Sequence, residues 1–301
     1  MELVKIRKFS YIISIILVAA SLASLAFYGL KLGIDFTGGS LIEVRYANTR
    51  PNLDAARQKM ESLNFGNVIA QPVGEDGFTI RTRELSSEER QRVIGELGTL
   101  GEIRDSNVNT IGPTIGRELR NRSIWAMILV LVAIIIYIAF AFRKVSEPVS
   151  SWMYGLFAIA ALFHDILIPL GIFSALGHFK GVEIDTLFVT ALLTVLGFSV
   201  HDTIVVYDRI RENLNLAKKE SFEEVVGKSL NQTITRSINT SLTVLIVLVS
   251  LYFLGAQSTK YFSLALIIGI IAGTYSSIFF ASPLLVTWNN FQQRRARKGK
   301  I

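Results

Sequence analysis

LFVTALLTVLGFSVHDTIVV, residues Leu187–Val206, empties directly into Tyr207-Asp208-Arg209-Ile210-Arg211-Glu212-Asn213. Its length and apolarity are those of a helix that crosses a membrane, and it carries His201 and Asp202 near its charged end. A carboxylate at that depth is costly if left ionised and alone. It therefore moves a proton or an ion, or it pairs with a cation.

Outward from this stretch the same composition repeats. Half of the 301 residues are apolar, and six segments are long enough to cross about 30 Å of hydrocarbon. They lie near Phe9–Leu30, Ile124–Phe142, Trp152–Leu176, Ile184–Tyr207, Ile238–Leu254 and Phe262–Trp288. Aromatic residues such as Tyr11, Tyr28, Trp125, Trp152, Tyr207, Tyr261 and Trp288 gather towards their ends, as interfacial belts do. The net charge of +7 is unevenly spread. Basic residues crowd the N-terminus, Arg143-Lys144, the 208–236 stretch and the tail, whereas the short opposite loops hold only Lys180 and Lys260. The positive-inside rule then makes both termini cytoplasmic. The basic balance is thus a topology signal and gives no reason to expect nucleic acid. Ser24-Leu25-Ala26 has the composition of a signal-peptide cleavage site, but the apolar run before it is too long for one. The chain has no cysteine, which excludes disulfides and thiolate metal sites, and no metal or cofactor is expected.

The chain divides into residues 1–30 (tail and first span), a polar segment 31–122, residues 123–288 (five spans with an amphipathic cytoplasmic stretch 208–236) and a basic tail 289–301. In the polar segment, Leu41–Tyr46 alternates as a strand does. A helix opens at Pro51 with Leu53, Ala56, Met60 and Leu63 on one face. Val68–Val73 and Gly77–Arg83 read as a hairpin. Ser86-Ser87-Glu88-Glu89 is a capping box for a second helix, and a last strand lies near Ile103–Val108. This β-α-β-β-α-β order predicts a small α+β, ferredoxin-like extracytoplasmic domain. It lacks a nucleophile–base pair and metal spacing, so it reads as a binding or docking domain. Gly38-Gly39 make the turn into its first strand.

Within the spans, His164-Asp165 lie in the third, four residues before Pro169, which frees the carbonyl of Asp165. They form either a satisfied structural pair, with His164 or a neighbouring hydroxyl holding Asp165 in place, or part of a proton route. For Asp202 the best candidate partner is Arg236, just ahead of the fifth span, whose long stem can reach into the bundle. Gly269, Gly273 and Ser277 place small residues on one stripe for close helix packing. Ser221-Phe-Glu-Glu224 caps a helix with Phe222, Val225, Val226, Leu230 and Ile234 on one side, which predicts an amphipathic helix lying at the membrane interface. Gly227-Lys228-Ser229 looks like the end of a phosphate-binding loop, but Phe222 stands where its first glycine belongs and no strand precedes it.

One span, an outer domain and five further spans resemble half of a resistance-nodulation-division transporter. Several strings resemble the SecF branch of the SecD/SecF family within that superfamily. They are Gly33-Ile-Asp35-Phe36-Thr-Gly38-Gly39, Gly112-Pro-Thr-Ile-Gly116, His201-Asp202 running to Asp208-Arg209-Ile-Arg211-Glu212-Asn213, and Thr233-Ile-Thr-Arg236-Ser-Ile-Asn-Thr240. The resemblance implies a non-enzymatic, multi-pass subunit of the bacterial cytoplasmic membrane. It would pair with SecD and work beside the SecYEG channel. There it would use the proton-motive force to help draw out preproteins that SecA has delivered. It further implies proton passage at Asp202 and Arg236, with a carboxylate supplied by SecD. His201, His164 and Asp165 are the remaining relay candidates. Three other readings compete: a proton-coupled exporter of small molecules or lipids, an intramembrane aspartyl protease using Asp165 and Asp202, and a static scaffold. The protease lacks its Gly-x-Gly-Asp string, since Phe198-Ser-Val-His-Asp202 stands there.

Overall fold

A computed structural model describes residues 2–66, 68–142, 148–217 and 220–298. In chain order the elements are α1 (Glu2–Lys5), α2 (Arg7–Tyr28), α3 (Ile34–Thr37), β1 (Gly39–Tyr46), α4 (Leu53–Ser62), β2 (Ile69–Val73), β3 (Gly77–Thr82), α5 (Ser87–Gly98) and β4 (Ile103–Ile111). There follow α6 (Pro113–Ala141), α7 (Ser151–Lys180), α8 (Thr186–Leu216), α9 (Phe222–Leu254), α10 (Gln257–Ser276), a π-helical turn (Ser277–Ala281) and α11 (Ser282–Lys298). Six helical stretches are long and apolar enough to cross a membrane; α10, the π-turn and α11 together supply the last.

The chain forms two compact units, one from residues 1–30, 126–180 and 187–301 and the other from residues 31–125 and 181–186. The second is α+β. Its sheet is antiparallel in the order β2-β3-β1-β4. Alternation puts Ile42, Val44 and Tyr46 of β1 and Phe78 and Ile80 of β3 on one face, where α4 and α5 add Ala56, Met60, Val93 and Leu97. The Ser86–Glu89 capping box is fully made, each side chain bonding the other's backbone. The first helix starts at Leu53 rather than Pro51, because Asn52 Oδ1 accepts the Asp54 N–H and so caps it.

In the helical unit, α7 and α8 are buried over about half of their most apolar windows, whereas α2, α6 and α9 are mostly uncovered. Packing of α7 on α2 is close: a side chain at Gly171 would meet Ser21, and Ser24 Oγ donates to Gly171 O at 2.8 Å. Gly269 and Gly273 bring α10 against Val195 and Ser199 of α8, as their small-residue stripe predicts.

Three helices depart from the sequence expectation. The second span begins well before Ile124, because Pro113 is pre-shaped for a first helical position and nothing breaks the polar Arg117–Arg122 run. The amphipathic segment after Ser221 does not lie separately at a membrane interface. It is continuous with the fifth span, since no glycine or proline interrupts 228–254. Its apolar side, Phe222, Val225, Val226 and Leu230, is buried in protein. Asn213 Nδ2 donates to Ser229 Oγ at 2.8 Å and Arg209 Nε to Gln232 Oε1 at 2.7 Å, which ties it to the end of α8. Finally, the last span is not one regular helix. Pro283 has no N–H to offer Phe279 O, and the ladder slips into the π-turn just before it. Ser282 Oγ compensates by donating to Ser277 O at 2.9 Å, and Tyr207 Oη donates to Ala281 O at 3.2 Å.

Candidate functional site

Among the described residues, two carboxylates are buried inside the helical unit, and hydroxyls hold both. Asp202 of α8 accepts from Ser237 Oγ of α9 at 2.5 Å and from Ser277 Oγ of the π-turn at 2.5 Å. Asp165 of α7 accepts from Ser199 Oγ at 2.5 Å and from Ser276 Oγ at 2.7 Å, and its other oxygen lies 2.8 Å from His164 Nδ1. Ser199, Ser237, Ser276 and Ser277 are themselves buried. Ser276 and Ser277, consecutive residues where α10 gives way to the π-turn, thus serve one carboxylate each.

The expected Asp202–Arg236 ion pair is not formed. Arg236 is exposed and makes no ion pair among the described residues. Successive side chains on a helix point about 100° apart, so when Ser237 faces Asp202, Arg236 cannot. His201 is exposed too and is not brought to Asp202. Beyond them, Asp208 and Arg211 approach to 3.7 Å and Arg209 and Glu212 to 2.5 Å at the end of α8, while Asn213 is buried against Ser229. A neighbouring hydroxyl is among the partners expected for Asp165, but which serines serve it, and that hydroxyls serve Asp202 at all, escapes the sequence. Of the four, Ser277 alone stood out, and only as a small packing residue.

The Gly33–Gly39 string forms a joint within the α+β unit. Gly33 N–H donates to Ile184 O and Ile184 N–H to Lys31 O, both at 2.8 Å. Asp35 accepts from the N–H and hydroxyl of Thr186, at 2.9 and 2.6 Å, and so caps the start of α8. Arg81 on β3 binds Glu183 at 2.7 Å and also donates to Leu32 O and Thr37 Oγ1. Burial raises the Glu183 carboxyl above its ordinary range, outweighing the opposing pull of Arg81 and Lys31. Phe36 is buried. Gly38 and Gly39 have φ of +73° and +125°. A Cβ on the first would sit 2.7 Å from Pro113 Cα, and on the second 2.6 Å from Thr82 O.

Two carboxylates are thus held by hydroxyls, and among the described residues no guanidinium pairs with either. No group of metal-ligating side chains is found among the described residues.

Against this geometry stand the likenesses. Residues 94–291 match the family described as "Protein export membrane protein SecD/SecF, C-terminal", and residues 23–49 match the "SecD/SecF GG Motif". A protein translocase subunit SecF from Thermobaculum terrenum is 44% identical over 96% of this chain and 94% of that protein. One from Anaerolinea thermophila is 37% identical at the same coverages. A crystal structure of SecDF, a translocon-associated membrane protein from Thermus thermophilus, superposes with a TM-score of 0.83 at 32% identity. It covers 96% of this chain but only 39% of that longer one. A second SecDF structure, in a super-membrane-facing form, gives 0.67.

Proposed function

The chain belongs to the SecD/SecF family of protein-export membrane proteins, and from that premise we propose that it couples proton movement through Asp202 to preprotein export. It is a multi-pass accessory subunit of the Sec translocase, of SecF type. The exporter alternative is not favoured, because the relatives named above are translocase proteins.

In this reading a SecD-type subunit completes the membrane bundle, both termini are cytoplasmic and the α+β unit faces outward. The complex assists preproteins crossing at a SecYEG-type channel after SecA has engaged them. The SecDF likeness supports the pairing, since this chain spans 39% of a protein that carries both names. Exposure of His201 within the fourth span supports it as well, since such a group faces protein or water rather than lipid.

The observation that carries the proposal is the burial of Asp202 under two hydroxyls and no cation. A hydroxyl is both donor and acceptor, so Ser237 and Ser277 can serve the carboxylate as donors and the neutral acid as acceptors. Neither state needs a permanent counter-charge. The work on offer is about 2.3 kcal/mol per charge per 100 mV and about 1.4 kcal/mol per pH unit. That is enough to bias a two-state bundle by tens- to hundreds-fold.

Asp202→Asn keeps the shape and removes the titrating proton. In vesicles that also contain SecD, SecYEG and SecA, this variant is expected to abolish the extra preprotein protection that an imposed proton gradient gives. ATP-driven translocation should persist. Full gradient stimulation in the variant would rule the proposal out.

A further inference from the structure

Asp202, Asp165 and His164 are all buried or bonded to buried hydroxyls in the helical unit, and proton coupling through Asp202 uses only the first. Asp165 is fully buried and His164 nearly so. His164 Nδ1 is engaged with Asp165, yet its Nε2 is buried with no hydrogen-bond partner among the described residues. Buried polar atoms are rarely left so, and an imidazole nitrogen without a partner is an atom at which a proton can bind.

The two serines add a second observation. Ser276 Oγ lies 2.7 Å from Asp165 Oδ2 and 3.1 Å from Gly273 O. Ser277 Oγ lies 2.5 Å from Asp202 Oδ2 and 3.1 Å from Thr274 O. Each hydroxyl has one proton and two acceptors. Turned to the carboxylate it stabilises the ionised form. Turned to its own helix it leaves its oxygen free to accept from the neutral acid. The geometry thus provides a matched partner for both protonation states at both aspartates, from adjacent residues of one backbone.

We propose that His164–Asp165 is a second proton-binding site, and that its occupancy, conveyed through Ser276–Ser277, sets how readily Asp202 releases its proton. This rests on Asp202 being the carrier. The proton balance is simple. A proton either forms an N–H bond at Nε2, giving an imidazolium beside the Asp165 carboxylate, or an O–H bond at Asp165 as Ser276 turns to Gly273 O. Either way the pair passes from one negative charge to none. With the pair empty, ionising Asp202 places a second uncompensated charge in the bundle; with the pair filled, it places only one.

Among the described residues, no other charged group is bonded to the pair. Facing the pair are Tyr275 of α10, its ring 6.0 Å from the imidazole and its hydroxyl donating to Ser10 O at 2.8 Å, Phe280 of the π-turn at 5.4 Å, and Ser199 of α8. Arg7 at the start of α2 is paired with Glu223 at 2.6 Å, and Arg236 is exposed.

The test follows the Asp202 carboxyl by infrared difference spectroscopy during pH titration of the full-length chain with its SecD-type partner in liposomes. Loss of the band in Asp202→Asn assigns it. Asp165→Asn, which leaves the pair without its negative charge, is expected to lower its midpoint by about one pH unit, a tenfold change in proton affinity, and His164→Gln, which removes the nitrogen that takes up the proton, to raise it. Ser276→Ala removes a donor to the Asp165 carboxylate and should move the midpoint in the same sense as Asp165→Asn while leaving both titratable groups in place. It serves as the readout if Asp165→Asn does not fold. A midpoint that stays where it was in His164→Gln and Ser276→Ala overturns the second site and leaves the carrier standing. Absence of any band sensitive to Asp202→Asn instead overturns the carrier itself.

Discussion

Asp202 is held by Ser237 and Ser277, and removing one partner of a buried hydrogen bond costs about 1–3 kcal/mol. Ser237→Ala should therefore lower the thermal stability of the purified chain by about that amount at neutral pH. Arg236→Ala, which removes no bond made within the described chain, should stay within about 0.5 kcal/mol of the parent. Melting curves in detergent give the comparison, and the reverse order would return the arginine to the role the sequence suggested. That suggestion had a physical origin. A guanidinium is the strongest partner a carboxylate can find, and Arg236 stands near enough in the chain. What sequence could not reveal is which of two adjacent residues faces inward. Serine is common in membrane helices and leaves no mark in hydropathy, so the four hydroxyls were illegible although the two carboxylates were plain.

Elements were legible where the pattern alone determines them. Alternation in Leu41–Tyr46 and the Ser86–Glu89 box needed no tertiary information, and both strand and cap are present. The amphipathic face after Ser221 was read correctly as a face and wrongly as a membrane surface. Helical period says that one side is covered without saying by what. The π-turn was hidden because Pro283 signals a broken ladder but not the slip that repairs it. One element also carries a pH signature. The Arg83 guanidinium, and after it the Ser86 N–H, hold the Glu89 carboxyl at about 2, down from 4.5. An acid whose folded value is lowered adds stability above its unfolded value and loses it as pH falls through the folded one. The start of α5 should thus weaken between about pH 4.5 and about 2. Hydrogen exchange of the amides in Ser87–Gly98 would report this, and Glu89→Gln should flatten the dependence across that window. An equally steep fall in the variant would place the effect elsewhere.

At the scale of the molecule, two uncovered helices differ in kind. The α6 face shows Ile128, Leu129, Val132, Ile136 and Phe140, all apolar, as lipid requires. The α9 face shows Arg236, Asn239, Thr240 and Thr243, which recur at three- and four-residue spacing and so form one stripe. Such a stripe is tolerated where another helix or water covers it, and we propose that α9 is the side for a SecD-type half and α6 the lipid side. Replacing Asn239 and Thr240 together by leucine removes the donors and acceptors while keeping the helix apolar and folded. At roughly 0.6 kcal/mol per interhelical hydrogen bond, the double change should weaken association with the SecD-type subunit by several-fold, which co-purification from a titrated detergent series would detect. Leu129→Ala with Val132→Ala on α6 should leave association unchanged. If the α6 pair weakens the complex and the α9 pair does not, the partner lies against the apolar helix. The polar stripe would then face a water-filled path, and the exposed Arg236 would belong to that path instead of to the interface.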